Sequence, residues 1–338
     1  MIRRGKFPLK AFHTFGTDVF AQDLFRIQSI EEIPQILPRL KSFPFFILGG
    51  GSNLLFLNDF EGLILKNELK GKRIEEIDQD HVLVHVMAGE NWHELVMWCV
   101  EKGLGGIENL ALIPGSVGAA PIQNIGAYGV ELRDTFFSLE AIHLQDGTQQ
   151  VFSAQDCNFG YRDSYFKHAA KGKYLITQVT LKLTTTNHQL NTSYGAIQKQ
   201  LDEQDIKEPT IKDIAETVIK IRETKLPDPQ TIGNAGSFFK NPIVPKEQLK
   251  SIQANYAKVP HYPVDTAKVK LPAGWLIDQC GWKGKRIGDA GCYEKQALVL
   301  VNHGNAKGEE IWSLAQQIQA SVKSKFNVHL EPEVNVIS

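Results

Sequence analysis

Residues 113–129 read Ile-Pro-Gly-Ser-Val-Gly-Ala-Ala-Pro-Ile-Gln-Asn-Ile-Gly-Ala-Tyr-Gly, and this uncharged stretch constrains the architecture more than any other part of the chain. Its small side chains leave space that a bound ligand would fill; they are Gly115, Ser116, Gly118, Ala119 and Ala120. Gln123 and Asn124 add amide groups suited to the edge of a heterocycle or to a diphosphate. The alternative is a buried packing corner.

A second glycine stretch, Gly-Gly-Gly-Ser-Asn at residues 49–53, lies between apolar runs at 45–48 and 54–57. Glycine lets the backbone approach a phosphate, and consecutive amides can cradle its charge. No Gly-Lys-Ser/Thr follows, as a Walker loop requires, and residues 54–57 read as a strand rather than the helix of a Rossmann fingerprint. A plain turn is the alternative, but two such loops favour a long, two-ended ligand such as a dinucleotide.

Composition excludes several classes of protein. The 338 residues suggest two or three domains, and the net charge of -1 gives no reason to expect nucleic acid or an anionic membrane as a partner. We expect no secretory signal and no membrane span, because no apolar run is long enough. Four scattered cysteines without a Cys-x-x-Cys pair fit a reducing compartment, so we expect a cytoplasmic protein without a metal site.

Apolar periodicity and turn signals predict an α+β fold. Two prolines in residues 225–229 mark a linker and a C-terminal domain beyond it. The predicted helices are 91–102 with Asn91 as its cap, 211–224, 246–256, 273–280 and 308–326. The predicted strands are 45–48, 54–57, 62–65, 82–87, 136–144, 149–153, 174–183, 298–302 and a closing strand 328–337.

A third stretch, Asn-Ala-Gly-Ser-Phe-Phe-Lys-Asn-Pro at residues 234–242, places Ser237 between a glycine and two phenylalanines. The Gly-x-Ser-x-Gly spacing of a nucleophile elbow is not present there. The stretch is therefore either a tight turn entering a strand or the setting for a hydroxyl that donates a proton or binds a substrate oxygen.

Together these motifs resemble a known family. The glycine loops are similar to the flavin-binding loops of the vanillyl-alcohol-oxidase-type FAD fold. Residues 124–129, Gly-Tyr-Arg-Asp-Ser at 160–164, and residues 233–242 resemble UDP-N-acetylenolpyruvoylglucosamine reductases, with similarity from Phe12 to Ile337. Tyr194-Gly195 resembles the subtype in which a tyrosine loop covers the substrate.

The resemblance implies a two-subdomain FAD-binding module and a C-terminal α+β substrate-binding domain. The implied bounds are residues 1–70, completed by 327–338, for the first FAD-binding subdomain, 71–225 for the second, and 226–326 for the substrate-binding domain. The implied cofactor is non-covalent FAD, NADPH is the implied co-substrate, and the implied reaction reduces an enolpyruvyl ether of a UDP-sugar for peptidoglycan synthesis. No second dinucleotide motif is visible, so NADPH and the UDP-sugar would use one cleft in turn. We expect a monomer.

By the same resemblance, three residues carry the chemistry. Arg162 would stabilise negative charge on the substrate carboxylate, Ser237 would give a proton to C2, and Glu333 would act beside them, with Glu331 as its competitor. The implied substrate-binding residues are Tyr194, Lys225, Asn241 and Gln296. The implied FAD-binding residues are Gly49, Gly50, Gly51, Ser52, Asn53, Leu54, Gly115, Ser116, Gly118, Ala119, Gln123, Asn124, Gly126, Ala127, Tyr128 and Gly129.

His13 departs from the family pattern, in which an asparagine precedes Thr-Phe-Gly. We expect no covalent histidyl flavin there. Two other functions remain open on sequence alone. An oxidase of small alcohols would need no UDP site and hence no use for Tyr194, Lys225 or Asn241. A non-catalytic nucleotide-sugar or flavin-binding module would tolerate the loss of Arg162, Ser237 and Glu333 without losing its ligand.

Overall fold

A computed structural model describes residues 3–256 and 258–338 of the chain. Over these residues the α-helices are α1 Ile33–Leu40, α2 Trp92–Glu101, α3 Ala154–Cys157, α4 Gly195–Glu203, α5 Ile211–Lys225, α6 Lys246–Gln253, α7 Ala273–Gln279 and α8 Gly308–Phe326. Short 3₁₀ helices are Lys10–Phe12, Ile30–Glu32, Glu108–Leu110, Val117–Gln123, Leu132–Asp134 and Tyr165–Lys167.

The strands that the same residues form are between two and eleven residues long. They are β1 Arg3–Pro8, β2 Phe20–Ile27, β3 Phe45–Leu48, β4 Leu54–Phe56, β5 Phe60–Asn67, β6 Lys72–Glu76, β7 His81–Met87, β8 Gly126–Ala127, β9 Val130–Glu131, β10 Phe136–His143, β11 Gln149–Ser153, β12 Tyr174–Thr184, β13 Gly233–Ser237, β14 Ile243–Pro245, β15 Tyr262–Pro263, β16 Lys268–Lys270, β17 Arg286–Ile287, β18 Ala290–Cys292, β19 Val299–Asn302 and β20 Asn335–Ile337.

The chain divides into two compact units, each assembled from separated segments. Unit 1 comprises Met1–Phe7, Ala21–Gly51 and Glu61–Thr224, and unit 2 comprises Pro8–Phe20, Ser52–Phe60 and Lys225–Ser338. The three-domain division implied by the family resemblance is not tested by this partition and stays a prediction.

The two larger sheets of unit 1 have strand orders β1-β2-β5-β3 and β11-β10-β12-β7-β6, and β8 and β9 form a separate two-stranded sheet. In the second sheet β7 and β12 are antiparallel, with Met87 opposite Gln178. Helix α2 buries one face, made of Trp92, Leu95, Val96, Cys99 and Val100. The helix begins as predicted, because the Asn91 side chain accepts a hydrogen bond from the Glu94 amide at 3.0 Å.

Unit 2 is built around helix α8, whose bounds agree with the prediction. Buried side chains recur every three or four residues along it, at Ile311, Leu314, Ala315, Ile318, Val322 and Phe326. The strands of this unit form a sheet of order β13-β19-β18-β17, a sheet of order β14-β16-β15, and the parallel pair β20-β4. No helix in the described residues has both the length and the apolar content needed to cross a membrane.

The predicted closing strand over residues 328–337 is wrong for most of its length, because only β20, Asn335–Ile337, is a strand. Val328, Leu330 and Val334 are buried at alternating positions, which produced the strand-like pattern. Pro332 lacks an amide hydrogen and makes only an isolated bridge to Phe239, so a continuous ladder does not form.

Candidate active site

The two glycine loops contact each other inside unit 1. A Cβ atom at Gly49 would lie 2.4 Å from the Ser116 hydroxyl, and one at Gly50 would lie 2.6 Å from the Gly115 Cα. Similarly, a Cβ atom at Gly118 would lie 2.5 Å from the Ala88 Cβ. The small residues are therefore needed, at least in part, for close packing. This was the alternative to a bound ligand.

The first loop nevertheless keeps a feature that suits an anionic ligand. Among the residues that the structure describes, the Gly50 and Gly51 amides have no hydrogen-bond partner, and Gly51 has a φ of 69°. Successive free amides in such a turn form an anion-binding concavity. The Lys66 ammonium donates to the Gly49 carbonyl, and its burial lowers the pKa of Lys66. These residues fit the diphosphate of FAD.

The end of the second loop positions Arg162. Strands β8 and β9 are joined by Tyr128 and Gly129, with φ of 51° and 83°, as a two-residue hairpin turn requires. The Arg162 guanidinium donates to the Gly126 carbonyl. A Cβ atom at Gly126 would lie 3.0 Å from Arg162 Nη1, so this glycine leaves room for the guanidinium.

Arg162 itself has a strained backbone. Its φ is 53°, in the left-handed region that a non-glycine residue rarely adopts. A tight turn fixes this conformation, since Gly160 N donates to Asp163 O at 3.0 Å and Asp163 N donates back to Gly160 O at 3.3 Å. The surrounding structure thus fixes the direction of this side chain.

Arg222, on helix α5, brings a second guanidinium into the same region of unit 1. Burial lowers the pKa of Arg222, and the charge of Arg162 lowers it further, while the Tyr128 phenol shares a hydrogen bond with it. Burial in turn raises the pKa of Tyr128. Two neighbouring guanidiniums repel each other, so this region favours an anionic group.

Tyr194 lies beside the same hairpin turn. Its ring meets the Tyr128 ring edge to face, at a centroid separation of 5.2 Å and an interplanar angle of 81°. The residue is 42% exposed and immediately precedes helix α4. Its predicted substrate contact is therefore accessible from solvent.

In unit 2, Ser237 ends strand β13, beside two fully buried phenylalanines, Phe238 and Phe239. The ladder to β19 shifts register between Asn234 and Ser237, and Gly236 has a φ of 66°. The Asn234 side chain stabilises this bulge, because its Oδ1 accepts from Gly236 N at 2.9 Å. Both of the interpretations left open for this stretch fit these facts: a turn holds a half-buried hydroxyl.

Glu333 lies next to that segment. Glu333 N donates to Phe238 O at 2.8 Å, and the Glu333 carbonyl accepts from Asn53 Nδ2 at 3.1 Å. Glu331 is exposed instead, with its carboxylate 3.9 Å from the Lys240 ammonium. Unit 2 thus brings the backbone of Glu333 together with the residue after Ser237 and with the Asn53 side chain.

The predicted diphosphate contacts of unit 2 have different surroundings. Asn241 Oδ1 accepts from Ala273 N at 2.9 Å, and a Cβ atom at Gly274 would lie 2.8 Å from Gln296 Oε1, so both amides lie at the start of α7. Lys225 is the exposed last residue of α5. The structure therefore brings Asn241 and Gln296 together.

Asn124 is one predicted FAD contact whose side chain is engaged within the protein. Its Nδ2 donates to Glu131 Oε2 at 2.9 Å and to Gly160 O at 3.0 Å, and its Oδ1 accepts from Arg133 N at 3.0 Å. It is fully buried, and the amide group holds the end of the 3₁₀ helix Val117–Gln123. A contact of Asn124 with the cofactor would have to use its backbone.

Two residues of this region carried little signal in the sequence. Arg222 lies four residues after the buried Val218 on helix α5, and a single charged residue at that position is not a signal for a site. Asn109 is 1% exposed, and its only signal in the sequence is that an amide directly precedes the apolar run 110–113.

Comparison with known proteins agrees with this geometry. Residues 22–153 match a family model described as FAD binding domain, which gives the class of protein. Residues 228–337 match the model described as UDP-N-acetylenolpyruvoylglucosamine reductase, C-terminal domain. The predicted order of an FAD-binding domain followed by a C-terminal domain of this kind is confirmed.

Relatives match over nearly the whole chain. UDP-N-acetylenolpyruvoylglucosamine reductase from Flavobacterium johnsoniae is 48% identical over 99% of both chains. The Pseudomonas aeruginosa enzyme of that name is 47% identical over 97% of both. A crystal structure of UDP-N-acetylenolpyruvylglucosamine reductase from Thermus caldophilus aligns over 100% of both chains, with a TM-score of 0.69 and 25% identity.

The chain belongs to the UDP-N-acetylenolpyruvoylglucosamine reductase family, whose members are FAD-dependent oxidoreductases. NADPH is the co-substrate of this family. The expectation of an enzyme is confirmed, and neither the alcohol oxidase nor the non-catalytic binding module agrees with this family.

Proposed function

We propose that the protein reduces UDP-N-acetyl-3-O-(1-carboxyvinyl)glucosamine to UDP-N-acetylmuramate, with NADPH as the reductant, in peptidoglycan precursor synthesis. FAD, when bound, carries the hydride between NADPH and the enolpyruvyl group. The Gly50 and Gly51 amides would hold its diphosphate.

The hydrogen bond from Glu333 N to Phe238 O carries this proposal. It holds Glu333 beside the residue that follows Ser237, so two groups able to handle a proton lie on paired segments. In the proposed reaction Ser237 gives its proton to C2 of the enolpyruvyl group. Glu333 acts beside it on the developing enediolate.

Arg162 is proposed to stabilise the substrate carboxylate as negative charge accumulates on it. A guanidinium keeps its charge at any working pH and can make two parallel hydrogen bonds to a carboxylate. The left-handed backbone of Arg162 and its bond to the Gly126 carbonyl support this role, because a side chain fixed in advance needs no reorganisation during reaction. Tyr194, Lys225, Asn241 and Gln296 are proposed to bind the UDP diphosphate.

We also propose that the enzyme acts in the cytoplasm as a monomer, with NADPH and the UDP-sugar using one cleft in turn. The free cysteines Cys99, Cys157, Cys280 and Cys292 support a reducing compartment. A reaction of small molecules at one flavin needs no second subunit, and sedimentation equilibrium would measure the mass directly.

The experiment that tests this proposal measures the flavin absorbance of the Ser237→Ala enzyme in the absence of oxygen. NADPH should bleach the flavin as in the wild type, while recolouring by the UDP-sugar should slow by about 10² to 10⁴, the usual contribution of a positioned acid. Ser251→Ala is the matched control, because Ser251 is an exposed serine of α6. Unchanged recolouring in Ser237→Ala would exclude Ser237 as the donor, and a wild type without flavin would overturn the whole proposal.

A further inference from the structure

Asn109 connects the second glycine loop to the segment that carries Tyr194. It lies in the 3₁₀ helix Glu108–Leu110 and is 1% exposed. Its Nδ2 donates to the Tyr128 carbonyl at 3.1 Å and to the Asn191 carbonyl at 2.9 Å. Because both partners are carbonyl oxygens, the orientation of the amide is fixed.

The Asn191 side chain also contacts the second glycine loop. Its Nδ2 donates to the Gly129 carbonyl at 3.1 Å. Gly129 has a φ of 83°, and a Cβ atom there would lie 3.0 Å from Asn191 Nδ2, so glycine permits this close approach. Two asparagines thus hold the Tyr128–Gly129 turn against residue 191, and we call this pair the asparagine clasp.

Asn191, the second residue of the clasp, lies three residues before Tyr194. Its side chain also fixes the conformation of the residues between them. Asn191 Oδ1 accepts from Ser193 N at 3.2 Å and from the Ser193 hydroxyl at 2.7 Å. The Tyr194 ring then packs against Tyr128, the residue whose carbonyl the clasp also binds. Tyr194 is therefore positioned from two sides by one turn.

The same turn is also connected, through Gly126, to the proposed catalytic residue Arg162. Tyr128 and Gly129 close the hairpin whose first strand carries Gly126, and Gly126 accepts a hydrogen bond from Arg162. The conformation of one left-handed turn therefore bears on both Arg162 and Tyr194. Among the described residues Asn109 Oδ1 has no hydrogen-bond partner, so the two bonds donated by Nδ2 are the polar contacts of this buried amide group.

We propose that Asn109 and Asn191 are positioning residues that hold the chain before Tyr194 against the Tyr128–Gly129 turn, and so favour the position of Tyr194 in which it would contact the UDP-sugar. This proposal rests on the proposed function. Without the clasp, the Tyr194 segment would have to become ordered when the UDP-sugar binds. The free energy of this ordering would lower the affinity for the UDP-sugar. Bleaching of the flavin by saturating NADPH would not depend on it.

The experiment uses the FAD-loaded enzyme with Asn191→Ala, Asn109→Ala and the control Gln189→Ala. Gln189 is an exposed amide of the same segment, and its one hydrogen bond within the described residues is to the nearby Asn187 carbonyl, at 3.5 Å. In both clasp variants the half-saturating concentration of the UDP-sugar should rise by about tenfold, as for the loss of one net hydrogen bond. The limiting rate of bleaching by NADPH should stay within about twofold of the wild type.

A second measurement does not depend on turnover. Chymotrypsin can cut after Tyr194, and the cleavage rate reports opening of this segment. We expect cleavage in the two clasp variants to be roughly tenfold faster than in the wild type and in Gln189→Ala.

The outcomes separate the clasp from the proposed function. If the wild type does not recolour with the UDP-sugar, the proposed function fails, and the proteolysis still tests the clasp. If the wild type recolours and the Asn191→Ala enzyme matches it in both measurements, the clasp has no positioning role. Loss of flavin from both variants, with the control intact, would make the clasp a support of the fold only and would also overturn the inference.

Discussion

Gly50 and Gly115 lie backbone against backbone, with 2.6 Å between a Cβ atom placed at Gly50 and the Gly115 Cα. The two glycine loops are therefore one structure and not two independent binding motifs. We therefore expect a substitution in either loop to change the affinity for the cofactor.

Gly50→Ala should weaken FAD binding by about tenfold or more, because the added methyl group must displace the backbone of residue 115 and overpacking costs about 1–3 kcal/mol. The measurement is a titration of the purified protein with FAD, followed by flavin fluorescence. Gly195→Ala is the control, since a Cβ atom there meets nothing within 4 Å. Equal FAD affinity in Gly50→Ala and the wild type would show that the contact between the loops does not support the cofactor.

Protonation of His13 should destabilise the protein in acid. Burial lowers the pKa of His13 from 6.5 to about 4. Between these two values the unfolded chain binds more protons than the folded one, so stability is lost as the pH falls from about 6.5 to about 4, by about 3 kcal/mol in total. His13→Asn should remove this component.

The measurement compares urea unfolding of the wild type and His13→Asn at several pH values. The difference between their unfolding free energies should change across this window and be constant above it. A difference that does not vary with pH would mean that His13 is protonated equally in both states.

Glu333→Gln and Glu331→Gln should separate the two acidic candidates. Glu333 is held beside Phe238, whereas Glu331 is exposed and makes an ion pair with Lys240 at 3.9 Å. We expect turnover of the UDP-sugar to fall by roughly 10² or more in Glu333→Gln and to change by less than about twofold in Glu331→Gln. Steady-state kinetics would decide, and the reverse pattern would transfer the role to Glu331.

Asn91→Ala should destabilise unit 1 by about 1 kcal/mol, because it removes the cap of α2. Asn91→Asp keeps an acceptor for the Glu94 amide and should stay within a few tenths of a kcal/mol of the wild type. Urea midpoints measured by circular dichroism test both. An unchanged midpoint in Asn91→Ala would mean that other contacts support this helix end.

Local signals predicted those elements whose cause is local. Helix α2 has its cap at Asn91 and its apolar face in sequence, and α8 repeats buried residues over its whole length. Strand β6, Lys72–Glu76, is exposed at every position and gives no alternation, so only its pairing with β7 reveals it.

The catalytic residues of the proposed site came from the family resemblance, whereas the residues that support them did not. Arg162, Ser237 and Glu333 lie in motifs that carry this resemblance, and their roles stay predictions. Asn109 could not be singled out, since its role depends on Asn191, whose distance along the chain, 82 residues, is bridged only in the fold. Likewise, residues 328–334 looked like a strand because burial alternates there, while the backbone lacks a ladder.

The pairing of β4 with β20 has a consequence during synthesis of the chain. Asn53 and Asn335, at the start of this pair, are separated by 282 residues. Translation at about 5–20 residues per second leaves on the order of half a minute between them. Leu55 and Phe56, which are fully buried in the finished protein, emerge long before the strand with which they pair. A nascent chain with these residues uncovered would be a substrate for chaperones until its last strand arrives.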